Sequence, residues 1–237
     1  MNLYELTAAL RERKRTGDYS GARLLFETWL SESQDRSQHV WAAIALATFA
    51  ITECLFDEAI DDCRRCIELV PEDGYPHSLL GLVFRLRGDY DRAESEYRQA
   101  IALKESEGSA CCYTEVTDFG SLLLDLGRYD ECERWCLADW DLPLDQVYPG
   151  EVAIAHRLEV IARLHRSRGR YDEAIDFYRR SIRLYCSSRM LIRLPVLLAP
   201  LASVLLENEA LNRSADDLQT RSKLGDEGGR PAKGSQA

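Results

Sequence analysis

A short phrase returns along this chain at Gly17–Ala22, Cys54–Ala59, Gly88–Ala93, Gly127–Cys132 and Gly169–Ala174, with a worn copy at Ala210–Ala215. Its final small residue falls at 22, 59, 93, 132, 174 and 215, so the steps are 37, 34, 39, 42 and 41 residues. Such a period constrains the fold more tightly than any composition. Each unit is one supersecondary element that buries its apolar face only by stacking on its neighbours.

The 34-residue step supplies a frame with the marker at position 20, giving units 3–36, 40–73, 74–107, 113–146 and 155–188 and a degenerate cap at 196–218. Position 8 is then Leu10, Ala47, Gly81, Gly120, Ala162 and Ser203, mostly small, as a close approach between paired helices requires. Position 17 is Tyr19, Phe56, Tyr90, Tyr129 and Tyr171, an aromatic wedge expected between neighbouring hairpins. Glycine at position 15 in four units suits a left-handed turn after a helix. Ser20, Asp57, Asp91, Asp130 and Asp172 at position 18 are expected to cap the second helices.

These positions resemble tetratricopeptide repeats over roughly residues 3–218, most closely in the third unit through Leu80-Gly81, Phe84, Gly88, Tyr90, Ala93, Tyr97 and Ala100. Trp29 and Asp139 depart from a normally small position, and Cys54 replaces the turn glycine. The longer later steps look more like the repeats of kinesin light chain. The resemblance implies an all-α, right-handed α-solenoid of antiparallel helix pairs with about six repeats. Residues 219–237, with little to bury, are expected to form a disordered tail.

Composition narrows the function. A formal charge of −10 opposes general nucleic-acid binding. The charged amphipathic N-terminus lacks an apolar signal core, and no run approaches the ~18 apolar residues of a membrane span, so the reading is cytoplasmic with no membrane partner. Cys63, Cys66, Cys132 and Cys136 fall at hairpin-core positions and read as packing residues, whereas Cys111-Cys112 lies at a connection where a redox role stays open. The four histidines match no metal-ligand spacing, and no phosphate loop, nucleophile elbow or dinucleotide fingerprint is present. The reading is a non-enzyme without metal or cofactor.

In the family that the chain resembles, first helices line an inner groove. The matching positions select Tyr4 and Arg11 in the first unit, Trp41, Ile44 and Thr48 in the second, Tyr75, Ser78, Leu82 and Arg85 in the third, and His156, Arg163 and Arg166 in the fifth. Across all groove positions of five units, six basic residues stand against two acidic ones, opposite in sign to the whole chain. That pattern suits a protein or peptide partner with acidic residues and apolar anchors. Cations near helix C-termini also favour the helix dipole without any ligand, so both readings stay open. The carboxylate-clamp pattern of chaperone-binding relatives is absent. The expected function is an adaptor. The alternative is a ligand-gated regulator, and monomer is favoured over homodimer.

Overall fold

The computed structural model describes residues 3–32, 36–106, 113–137, 150–190 and 193–228. Cys111, Cys112, Asp139 and the last nine residues of the expected tail lie outside them. Among the described residues there are eleven helices and no strand: α1 Leu3–Thr16, α2 Tyr19–Glu32, α3 Arg36–Thr52, α4 Phe56–Leu69, α5 Tyr75–Leu86, α6 Tyr90–Ser106, α7 Tyr113–Asp125, α8 Tyr129–Leu137, α9 Glu151–Ser167, α10 Tyr171–Ser187 and α11 Leu194–Gly228. No described helix is long and apolar enough to cross a membrane. They form two compact units, Met1–Pro149 and Gly150–Ala237.

The first unit stacks four hairpins, α1/α2 through α7/α8, each second helix packing on the next first helix. First helices also touch one another, α1 on α3, α3 on α5 and α5 on α7. In the second unit α9 and α10 form a hairpin and α11 packs on α10.

Two positions form the constant part of the core. Position 20 (Ala22, Ala59, Ala93, Cys132, Ala174) and position 24 (Phe26, Cys63, Tyr97, Cys136, Tyr178) are completely buried in every unit. Burial drives the Cys63 thiol far up and holds that of Cys66 at about 12, so both behave as small apolar groups. Trp29, at a normally small position, is buried and meets His39 of α3 edge-on at 5.4 Å, filling space between the first two hairpins.

Two local expectations need correction. The aromatic wedge is fully buried only at Tyr19, which packs edge-on against Phe49 at 5.8 Å, whereas Tyr90 is 39% exposed. The second helices start at the aromatic itself, so the residue at position 18 sits inside the first turn. The side-chain caps come from two residues earlier: Asp18 accepts from the Gly21 amide at 2.9 Å and Asp89 from the Arg92 amide at 3.3 Å. The acids at position 18 keep only their favourable place near the dipole's positive end.

The turns behave as the glycines demand. Gly17, Gly88, Gly127 and Gly169 have φ of 68°, 78°, 70° and 72°, and Cys54 is forced to 59° at the same place. A side chain there costs roughly 1–2 kcal/mol, partly offset by the freedom that glycine loses on folding. Cys54→Gly is therefore expected to stabilise the first unit by about 0.5–1 kcal/mol, read as a higher urea midpoint with an unchanged slope.

A polar triad, buried at Tyr19 and Asp62 and half-buried at Arg23, ties the first two hairpins. The Tyr19 hydroxyl on α2 donates to Asp62 Oδ2 on α4 at 2.7 Å, and Arg23 Nη1 donates to the Tyr19 oxygen at 3.2 Å. Burial raises the Asp62 carboxyl above its ordinary range, against the pull of that hydroxyl and of Arg23.

At the C-terminus, the degenerate helix pair expected over 196–218 is replaced by one helix, α11, which runs through Pro200 and on past residue 219. The worn phrase Ala210–Ala215, where the turn between the two helices was expected, carries no turn glycine and continues the helix, and Asn212 and Ser214 do not break it. The residues expected to begin the tail are helical as far as Gly228.

Candidate functional site

Repeating the same helix pair places position 2 of α1, α3 and α5 on one face of the first unit. Tyr4 is 81% exposed there, Trp41 69% and Tyr75 37%. A tryptophan this open, flanked by two tyrosines on adjoining helices, makes an aromatic strip of the kind that marks contact surfaces. Ile44, Thr48 and Leu82 are half-buried beside it. Ser78, expected in the groove, is instead buried within its hairpin and unavailable to a ligand.

Two turns along from Tyr4 and Trp41 lies a cleft of about 290 Å³ between α1 and α3. Leu10, Leu46 and Phe49, all buried, form its floor, with Thr7, Arg11, Lys14 and Thr48 around it. The Thr7 hydroxyl donates to the Tyr4 carbonyl at 2.9 Å and that of Thr48 to the Ile44 carbonyl at 2.8 Å.

The cations that the sequence places on first helices divide into two kinds. Arg85 Nε donates to Asp125 Oδ2 at 2.6 Å, joining α5 to α7. Arg166 Nη2 donates to Glu207 Oε1 at 2.6 Å and to Ser203 Oγ at 2.9 Å, joining α9 to α11. His156 and Arg163, also in the second unit, are half-buried and each is engaged by a neighbouring group. Arg128, just before α8, forms a further link, bonding Glu94 of the preceding hairpin and Glu131 of α8 at 2.7 Å, and these partners raise its guanidinium further. Such links between units were not visible from the repeat frame, since Arg85 and Asp125 stand 40 residues apart at unequal positions. Arg11 and Lys14 are different: neither forms an ion pair with a described residue.

The comparisons agree with this architecture. The sequence model of the tetratricopeptide repeat matches residues 77–110 and 158–185. No curated protein matches the chain. Among solved structures, a thermophilic TPR protein of Thermus thermophilus superposes with a TM-score of 0.61 at 20% identity, over 86% of this chain and 100% of that one. PilF of Pseudomonas aeruginosa gives 0.57 at 20% identity, over 83% of this chain and 79% of its own. A kinesin-light-chain-like protein of Podospora anserina gives 0.56 at 12% identity, over 78% of this chain and 96% of that one. Likeness at these identities shows the fold.

Proposed function

We propose that this chain, a tetratricopeptide-repeat protein, is a non-catalytic adaptor that holds a peptide segment of a partner protein against the first-helix face of its N-terminal unit. The observation that carries this reading is the exposed aromatic strip of Tyr4, Trp41 and Tyr75 beside a cationic cleft. Aromatic side chains present large contact area at low entropic cost, and they dominate the energetics of interfaces. The alternative is a regulator gated by a peptide or small metabolite, and its small-metabolite form calls for a pocket that encloses most of its ligand, commonly ~300–1,000 Å³. The cleft between α1 and α3, at about 290 Å³, lies at the lower edge of that range.

The test is affinity capture from native lysate followed by mass spectrometry, comparing wild type with a Tyr4→Ala, Trp41→Ala variant of unchanged circular dichroism. Both side chains are largely exposed, so folding is expected to be preserved. Loss of two aromatic anchors, worth ~2 kcal/mol or more together, should reduce capture of the partner at least tenfold. Equal capture by the two proteins moves the docking surface away from this face.

A further inference from the structure

Positive charge on the first helices of the N-terminal unit is concentrated at one place. The last two turns of α1 carry Arg11, Arg13, Lys14 and Arg15. Arg13 is paired with Asp18, and Arg15 with Glu12 at 2.6 Å. Arg85 and Arg166 are likewise neutralised within the fold by Asp125 and Glu207. Arg11 and Lys14 have no such partner among the described residues, and both line the cleft between α1 and α3, where no carboxylate lines the wall. The surplus of positive charge read along the sequence thus resolves largely into this cleft, on a chain of net charge −10. Local complementarity of this kind draws and orients an anion that the rest of the molecule repels.

We infer that this cleft is the subsite for one carboxylate of the partner segment, with Arg11 and Lys14 as its donors and Trp41 receiving an aromatic or aliphatic anchor of the same segment. The inference rests on the adaptor reading above and makes it specific. The hydroxyls of Thr7 and Thr48 are already committed as donors to helix carbonyls, so the donors offered to an anion are the two cations. Leu10, Leu46 and Phe49 beneath them exclude water from one side, which strengthens a charge-assisted contact. Trp41 and Thr48 share a face of α3 seven residues apart, about 10 Å at the helical rise. An extended peptide covers that distance in about three residues. The ligand pattern is therefore an apolar anchor and a carboxylate separated by about three residues, the carboxylate belonging to an Asp or Glu side chain or to a chain terminus.

Two sets of fluorescein-labelled peptides on a Gly-Ser background decide the matter by fluorescence anisotropy with the full chain. One set carries a single Trp and a single Glu at varied separation and order, with an amidated C-terminus. The other carries the Trp at varied distance from a free C-terminal carboxylate and has no Glu. Binding is expected to peak at a separation of about three residues and to fall at least tenfold in Arg11→Glu and in Lys14→Glu. Preference for the first set assigns a side-chain carboxylate and preference for the second a chain terminus. Binding that Trp41→Ala abolishes but both charge reversals leave unchanged overturns the subsite and keeps the aromatic docking face. Absence of binding by either set also overturns the subsite, and the capture experiment then decides the adaptor reading alone.

Discussion

Gly81→Val is expected to destabilise the N-terminal unit by about 2–4 kcal/mol, because overpacking and β-branching act at one point in α5. A Cβ at residue 81 would lie 2.8 Å from Cδ1 and Cε1 of Tyr97 and 2.9 Å from its Cζ. The ring has nowhere to go: Tyr97 is fully buried and packs against Phe119 of α7 with centroids 6.4 Å apart. Relief therefore requires moving α6 away from α5 or displacing the next hairpin. Tyr97→Leu alone should cost a few kcal/mol through the cavity it leaves, roughly the same order as the clash. The double variant should be more stable than the sum of the two losses allows, since each removes the other's defect. Urea unfolding followed by circular dichroism measures all three proteins. A loss below about 1 kcal/mol for Gly81→Val would show that the hairpin relaxes freely, contrary to the close-packed interior inferred here.

Tyr19→Phe is the second large effect, at about 2 kcal/mol near neutral pH, the ordinary worth of a hydrogen bond to a charged group. The hydroxyl removed is the donor to Asp62, whose carboxyl is buried on α4. Arg23 stands 3.7 Å from Asp62 and compensates part of the loss. The pH dependence has a definite sign. Burial already holds the folded carboxyl above its ordinary value of 3.8, and losing the hydroxyl raises it further. The cost of the substitution should therefore grow as pH rises through the folded titration of Asp62 and shrink in acid, where the carboxyl is neutral in both proteins. Adding Asp62→Asn to the variant should flatten this dependence. A Tyr19→Phe cost that is constant from acid to neutral pH would mean that Asp62 stays uncharged throughout.

Both substitutions lie at positions where the repeat frame was informative to different degrees. Small residues at positions 8 and 20 can be read directly because a hairpin contact excludes size in every unit. Position 24 was harder to see, since phenylalanine, cysteine and tyrosine share no chemistry beyond tolerance of burial, yet all five are fully inaccessible. Helix starts were misplaced because an aspartate within the first turn and an aspartate at the cap look alike in sequence. Only the amide acceptor contacts of Asp18 and Asp89 tell them apart. Position 2 alone selected Tyr4, Trp41 and Tyr75, of which Tyr4 and Trp41 are widely exposed. The charges did not follow in the same way. Whether an arginine is free or paired depends on acids one repeat away, at positions that no single-unit pattern specifies. Ser78 illustrates the related limit that one small polar residue faces inward or outward according to the helix rotation in its own unit.

The contacts between Arg85 and Asp125 and between Arg166 and Glu207 carry a further implication. Each joins helices that belong to successive repeats, so the same guanidinium that could recognise a ligand is holding the array together. A ligand carboxylate that captured either arginine would loosen the joint it came from. At these joints recognition and stiffness compete, and occupancy would be felt as compliance along the stack, whereas the cleft under Arg11 and Lys14 can fill without slackening any ion pair.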